Sequence, residues 1–275
     1  MTTAPAWRSV WITGASTGIG RELALRLARE GATVAVSARA PERLAEVSRL
    51  APRIVPYPVD VTDVADLAAA VERIEAAQGS IDLAILNAGV WQPMAASSFD
   101  AATVARTMDV NFLGTTNALS VLLPGMIARK AGHVALMASI AGYRGMPQGA
   151  AYAPSKAAVI SLAETLKPDL ERKGVRVSFI APGYVDTPMT AKNRFPMPFL
   201  ISAQDAGERI VRGLHRGKFE IAFPWQMVAL MKCARLLPYP AFFWLQRMLL
   251  TSPRQGENDT LKPPQSPQQA AGRAD

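Results

Sequence analysis

The chain has 275 residues, 49% of them hydrophobic, and carries 30 Lys plus Arg against 22 Asp plus Glu, a formal charge of +8. That length supports one sizeable core, and the positive balance favours phosphate-bearing ligands or anionic surfaces. The basic residues form no block and no zinc-finger spacing, so nucleic acid is not the expected partner. The single Cys233 excludes an intrachain disulfide framework, and His133 and His215 lack metal-ligand spacing, so no metal is expected.

Trp11 and Ile12 run directly into a glycine-rich turn, without the pattern of a secretory signal, which makes the cytoplasm the default location. Residues 9–13 are a short apolar run, and 22–30 (ELALRLARE) has the apolar spacing of a helix. TVAVSA at 33–38 reads as a second strand and PERLAEVSRL at 41–50 as a helix. RIVPYPVD at 53–60 is a third strand whose prolines predict an exposed or irregular course. A helix over 61–77 and a strand at 81–89 (IDLAILNAG) follow, then a long helix from about 103 to 130 and the strand HVALMAS at 133–139. A helix carrying Tyr152 and Lys156 leads into VRVSFIAPG at 175–183. Pro168 lies inside that helix and is expected to remove a hydrogen bond or bend it.

Strands alternating with helices of this length predict an α/β fold, a doubly wound parallel sheet with helices on both faces. One Rossmann domain for the dinucleotide and the chemistry accounts for 1–222. Residues 223–250 form an apolar helical extension, divided by Pro238 and Pro240, with Lys232, Arg235 and Arg247 among Trp, Phe, Met and Leu. Its charges and prolines make it a poor membrane span. A lid, an oligomer contact and peripheral contact with a membrane surface remain open for it. The tail 251–275, polar and rich in Pro and Gln, is expected to be disordered.

TGASTGIG at 13–20 sets Gly14, Gly18 and Gly20 between a strand and a helix. Without side chains there, a phosphate reaches backbone N–H groups and the helix N-terminus, and Ser16 and Thr17 add hydroxyls around Ile19. A purely structural turn is the competing reading, weakened by the strand–turn–helix context. At the end of the second strand no carboxylate awaits a ribose; Ala38 and Arg39 stand there. A guanidinium holds a 2′-phosphate, which favours NADP(H) over NAD(H), unless Arg39 merely opens the next helix in solvent. Asp60, followed by Val61, either accepts from an adenine amino group or caps the next helix, where Thr62 or Asp63 is better placed.

Tyr152 and Lys156 lie four apart, which puts a phenol and an ammonium on one helix face, and Ser139 closes the strand before them. With TGASTGIG, the NAG at 87–89, Asn111, Ser139, the YAPSK at 152–156 and the PG at 182–183, residues 8–222 closely resemble the short-chain dehydrogenase/reductase family. The resemblance implies that Ser139 positions the reactive oxygen, Tyr152 is the acid/base and Lys156 binds the nicotinamide ribose while lowering the tyrosine pKa. Asn111 would support a proton-relay water. Asn87, Ala88 and Gly89 would form the turn near the cofactor, and Pro182, Gly183, Val185 and Thr187 the loop on its nicotinamide side. It also implies a homodimer or homotetramer.

Specificity is expected from loops beyond the strand ends. Trp91, Met94, Tyr143, Met146, Met189, Phe195, Met197 and Phe199 are candidates for an apolar pocket, with Arg144, Lys192 and Arg194 as an anionic anchor or solvated loop charges. The leading expectation is an NADP(H)-dependent enzyme interconverting a hydrophobic secondary alcohol and ketone. The alternatives are a 3-oxoacyl-thioester reductase and a non-catalytic cofactor-binding regulatory or membrane-associated scaffold.

Overall fold

A computed structural model describes residues 6–193 and 195–250; Arg194 and the tail from 251 lie outside the described residues. The predicted apolar runs become strands β1 (Ser9–Thr13), β2 (Thr33–Ser37), β3 (Ile54–Pro56), β4 (Leu83–Leu86), β5 (Gly132–Met137) and β6 (Val175–Pro182), and three further strands follow, β7 (Val185–Asp186), β8 (Ile201–Ser202) and β9 (Glu220–Phe223). Seven of them form one parallel sheet in the order β3-β2-β1-β4-β5-β6-β9, while β7 and β8 pair separately. Strand order reverses at β1, which opens a crevice between the ends of β1 and β4. The proline-bearing β3 occupies an edge, where a missing N–H costs no ladder bond.

Helices cover both faces. On one side α1 (Gly18–Arg29), α2 (Pro41–Ser48) and α7 (Ala203–His215) bury Leu23, Leu27, Leu44 and Ile210 against β1, β2 and β4. On the other, α3 (Val64–Gln78), α5 (Gly114–Ala128) and α6 (Tyr152–Arg172) bury Leu67, Ile74, Leu119, Met126 and Val159. Because both faces are covered, the central strands are buried at every position, unlike the alternating pattern of a half-exposed sheet.

The long helix predicted from 103 to 130 starts earlier and is not uniform. Asp100 caps α4 (Ala101–Met108) by accepting from the N–H groups of Ala102 and Thr103; a π turn at Asp109–Leu113 then joins α4 to α5. Among the described residues, Ala101–Ala128 is the helical stretch long and apolar enough to cross a membrane, and its Leu119, Leu122 and Met126 belong to the core. The helix α6 continues through Pro168 to Arg172, although the proline has no N–H to give to the helix; Leu170 beyond it is buried and holds the last turn on the sheet.

Four elements escaped the sequence reading, the short β7 and β8 together with α7 and β9. The core sheet thus extends to Phe223, and α8 (Trp225–Leu236) packs behind it with Met227, Met231 and Ala234 buried. The described residues up to Leu236 form one compact unit; those from Leu237 to Leu250 belong to a second, with the helix α9 (Tyr239–Leu250).

Candidate active site

The parallel register brings the strand ends level, with Thr13 beside Ser37 and Leu86 and Met137 beside Ile180. The turns that follow these strands therefore open on one edge of the sheet. There they surround a cavity of about 360 Å³. Its lining contains Gly14, Ser16, Thr17, Gly18, Ile19, Arg39, Asp60, Val61, Asn87, Ala88, Gly89, Ser139, Tyr152, Lys156, Pro182, Gly183, Val185 and Thr187, candidates drawn from seven separate stretches of the chain.

The glycines act by what they leave out. A Cβ on Gly14 would lie 2.7 Å from the Ala88 Cα, and one on Gly20 would lie 2.5 Å from the Gly14 carbonyl oxygen and 2.6 Å from Asn87 Nδ2. Gly20 therefore packs under the turn and is not among the residues that line the cavity. Asn87 is the tie that holds the turn: its Nδ2 donates to the carbonyls of Thr13 and Gly14 at 3.0 and 2.9 Å. The Thr13 hydroxyl, not anticipated from sequence, accepts from the N–H groups of Asn87 and Ala88. Thr17 occupies the N-cap of α1 without a side-chain cap bond, so the first N–H groups of α1 face the cavity without that competitor, as an anion site requires.

At the far end of the cavity Arg39 is joined by Arg43, which the sequence reading missed although it lies four residues on. The N-terminus of α2 has no side-chain cap. Asp60 does not cap α3; Asp63 does, accepting from Ala65 and Asp66. Asp60 instead accepts from the N–H and hydroxyl of Thr62, and with the nearby Arg39 charge this holds its carboxyl below the usual range against the opposing effect of burial. It stays an anion at the cavity wall.

At the other end stand Ser139, Tyr152 and Lys156. Lys156 is 2% exposed; its Nζ donates to the Met137 carbonyl at 2.7 Å and sits 5.6 Å from the centre of the Tyr152 ring. Burial lowers its pKa to about 8. The expectation that Lys156 lowers the tyrosine pKa is not what the free protein shows. Burial pushes the Tyr152 phenol up to about 12, and the opposing influence is a hydrogen bond from Ser139. The physical reason is desolvation: withdrawing both groups from water disfavours phenolate and ammonium alike. The Ser139 hydroxyl also donates to the Pro182 carbonyl at 3.2 Å and accepts from the Ala141 N–H. Its single proton serves Pro182 or Tyr152, not both at once.

Asn111 sits in the π turn, fully buried. Its Oδ1 accepts from the Val90 N–H at 2.7 Å, and its Nδ2 donates to the Val90 carbonyl and the Ser155 hydroxyl. It is not among the lining residues but lies directly behind Gly89, where an added Cβ would come within 3.2 Å of Asn111 Oδ1 and 3.5 Å of Lys156 Nζ.

The apolar pocket expected from the loops is only partly assembled. Met189 lines the cavity, and the Trp91 ring meets that of Tyr152 edge-on at 5.0 Å. Met94 is buried away from the cavity and its N–H bonds the Gln148 carbonyl. Tyr143 is buried away from the cavity, its hydroxyl donating to Glu220 on β9, and burial raises its pKa. Phe195 packs on Tyr184, and Phe199 is exposed.

These turns and side chains are those of a dinucleotide redox site, and residues 8–197 match the family described as short chain dehydrogenase. The chain belongs to that family. An uncharacterized oxidoreductase of Myxococcus xanthus is 39% identical to it over 241 residues, spanning 86% of this chain and 95% of the relative. A 3-oxoacyl-(acyl-carrier-protein) reductase of Thermotoga maritima is 34% identical over 185 residues, 66% of this chain and 75% of the relative. Among solved structures, a short-chain dehydrogenase of Burkholderia cenocepacia in complex with NADP is similar at a TM-score of 0.76 and 27% identity, covering 87% of this chain and 97% of that one. This short-chain dehydrogenase/reductase is therefore an oxidoreductase with a Rossmann fold, from a family that uses NAD(P) on carbonyl and alcohol substrates.

Proposed function

We propose that this short-chain dehydrogenase/reductase uses NADP(H) in preference to NAD(H) to interconvert a hydrophobic secondary alcohol and its ketone. The observation that carries this reading is the convergence of Ser139, Tyr152 and Lys156 on one end of a cavity whose other end presents Arg39 and Arg43. When bound, the nicotinamide supplies or accepts the hydride. The glycine turn and the N-terminus of α1 take the pyrophosphate, and Asp60 and Val61 the adenine. Lys156 directs its remaining protons to a ribose hydroxyl, and Pro182, Gly183, Val185 and Thr187 bound the nicotinamide side.

The proton is the business of Tyr152. As a neutral phenol it donates to the carbonyl oxygen during reduction; as phenolate it takes the proton of an alcohol during oxidation. Ser139 hydrogen-bonds the same oxygen and aligns it. Asn111, which lies behind Gly89 as Lys156 Nζ does, supports a relay water that resupplies the proton.

Trp91 and Met189 favour an apolar substituent beside Tyr152. The Thermotoga relative makes a 3-oxoacyl thioester the second reading. A purely scaffolding role has little left to support it in a chain of this family that carries the whole proposed catalytic set. NADPH consumption across butanone, acetophenone, methyl octyl ketone, a ketosteroid and acetoacetyl-coenzyme A separates the two substrate classes. The hydrophobic ketones are expected to lead in kcat/KM by at least about tenfold, a difference worth about 1.4 kcal/mol. Preference for the thioester overturns the leading reading, and no NADPH-linked turnover of any compound overturns both.

We also propose peripheral contact with anionic lipid through α9. Tyr239, Phe243 and Trp244 on this helix are exposed, and the helix carries Arg247 but no Asp or Glu. Aromatic side chains beside cations suit the headgroup level of a bilayer. Vesicles rich in phosphatidylserine should sediment the full chain, and Phe243→Ser with Trp244→Ser should release it. Equal sedimentation of both proteins, or loss of a dimer in the variant without any vesicle binding, would assign the face to protein contact instead.

A further inference from the structure

Trp91 follows the turn after β4, and its side chain makes two contacts that do not serve the core. Its ring stands edge-on to the Tyr152 ring, 5.0 Å between centroids at 75°. Its indole Nε1–H donates to Asn193 Oδ1 at 2.8 Å, across 102 residues of chain. Asn193 is itself oriented, since its Nδ2 faces Met197 Sδ at 3.4 Å and its own N–H bonds the Thr190 carbonyl. The indole also lines a second, largely polar cavity of about 660 Å³ that reaches Arg39 and Asp60, while Tyr152 lines the first. One side chain thus stands beside the acid/base tyrosine and is tied to the loop that carries Asn193.

An indole is a rigid plane, so fixing its N–H and one ring edge fixes all of it. Asn193 sets the tilt of the plane, and the plane in turn limits the tilt of the Tyr152 ring and the room beside its hydroxyl. We propose that Trp91, held by Asn193, is the positioning residue for Tyr152 and the wall that limits substrate size. This rests on the reading of Tyr152 as acid/base, but the indole–Asn193 tie is a property of the free protein and can be tested without any substrate.

In isotope-labelled free protein, the Trp91 indole proton should exchange slowly with solvent, unlike that of the exposed Trp225. Asn193→Ala should accelerate it, while NADPH binding persists. An indole as fast as that of Trp225 in the unaltered protein overturns the proposal, whichever carbonyl is reduced. With butanone and methyl octyl ketone as probes, Trp91→Phe keeps the ring and loses the N–H. It and Asn193→Ala should each raise KM about fivefold with kcat little changed, the loss of one hydrogen bond, and the double variant should be no worse than either single. Trp91→Ala should lower kcat about tenfold and relax discrimination in favour of the longer ketone. Conservative Trp91→Phe should restore most of that kcat. Additive effects of Trp91→Phe and Asn193→Ala, or an unchanged chain-length preference in Trp91→Ala, would refute the wall.

Discussion

Tyr152→Phe is expected to reduce turnover by about 10²–10⁴-fold, the usual contribution of a positioned acid or base, while leaving NADPH affinity within about twofold. The substitution removes one oxygen and keeps the ring, so the edge contact with Trp91 and the position of Lys156 Nζ are retained. What is lost is the proton donor for the carbonyl oxygen. The free-protein phenol, pushed up to about 12, is almost wholly protonated at neutral pH and ready to donate. Alcohol oxidation needs the rarer phenolate, so its rate should rise with pH where ketone reduction does not. The Tyr152→Phe variant should lose both limbs of this contrast, leaving a small rate with weak pH dependence. Steady-state NADPH absorbance at several pH values, paired with a cofactor fluorescence titration, checks this. Turnover within about tenfold of the unaltered protein would remove Tyr152 from its role.

The pairing of Tyr152 with Lys156 was legible because it is local: two residues one helical turn apart share a face whatever the rest of the chain does. The same holds for the Gly14–Gly20 turn, whose strand, glycines and helix are contiguous. The fold class followed from the alternation of apolar runs with helical periodicity. Elements with weak local signals were lost, and β9 is the example. It is a four-residue edge strand, EIAF, whose place beside β6 depends on a sheet already formed. Side-chain direction in loops was lost for a related reason. Tyr143 was an expected pocket residue until its hydroxyl found Glu220, 77 residues away, and Trp91 acquired its meaning only from Asn193. Electrostatics was misread in sign because the charge of Lys156 is visible in sequence and the desolvation of Tyr152 is not.

Arg39→Ala should weaken NADPH binding by about 10- to 100-fold and leave NADH binding nearly unchanged, because a charge-assisted bond contributes about 1.5–3 kcal/mol and NADH has no 2′-phosphate to lose it. Arg39 lies where β2 hands over to α2, and Arg43 lies on the first turn of that helix. A cation near a helix N-terminus opposes the helix dipole, and here two of them share an uncapped end. An anion arriving between them would relieve both conflicts at once, which is the physical ground for proposing a phosphate there rather than a ribose hydroxyl. The two guanidinium groups overlap in function, and Arg43→Ala alone should cost less than Arg39→Ala while the double variant should bring NADPH and NADH to near-equal affinity. The preference should also shrink with added salt in the unaltered protein, because Arg39 and Arg43 sit at the solvent end of the cavity. Calorimetric titration of both cofactors into the three variants decides the matter. An NADPH-to-NADH ratio that survives the double substitution would mean that the phosphate is read elsewhere. In that case Asp60, the remaining charge at that end of the cavity, would have to be reconsidered as the partner of a ribose hydroxyl in NADH.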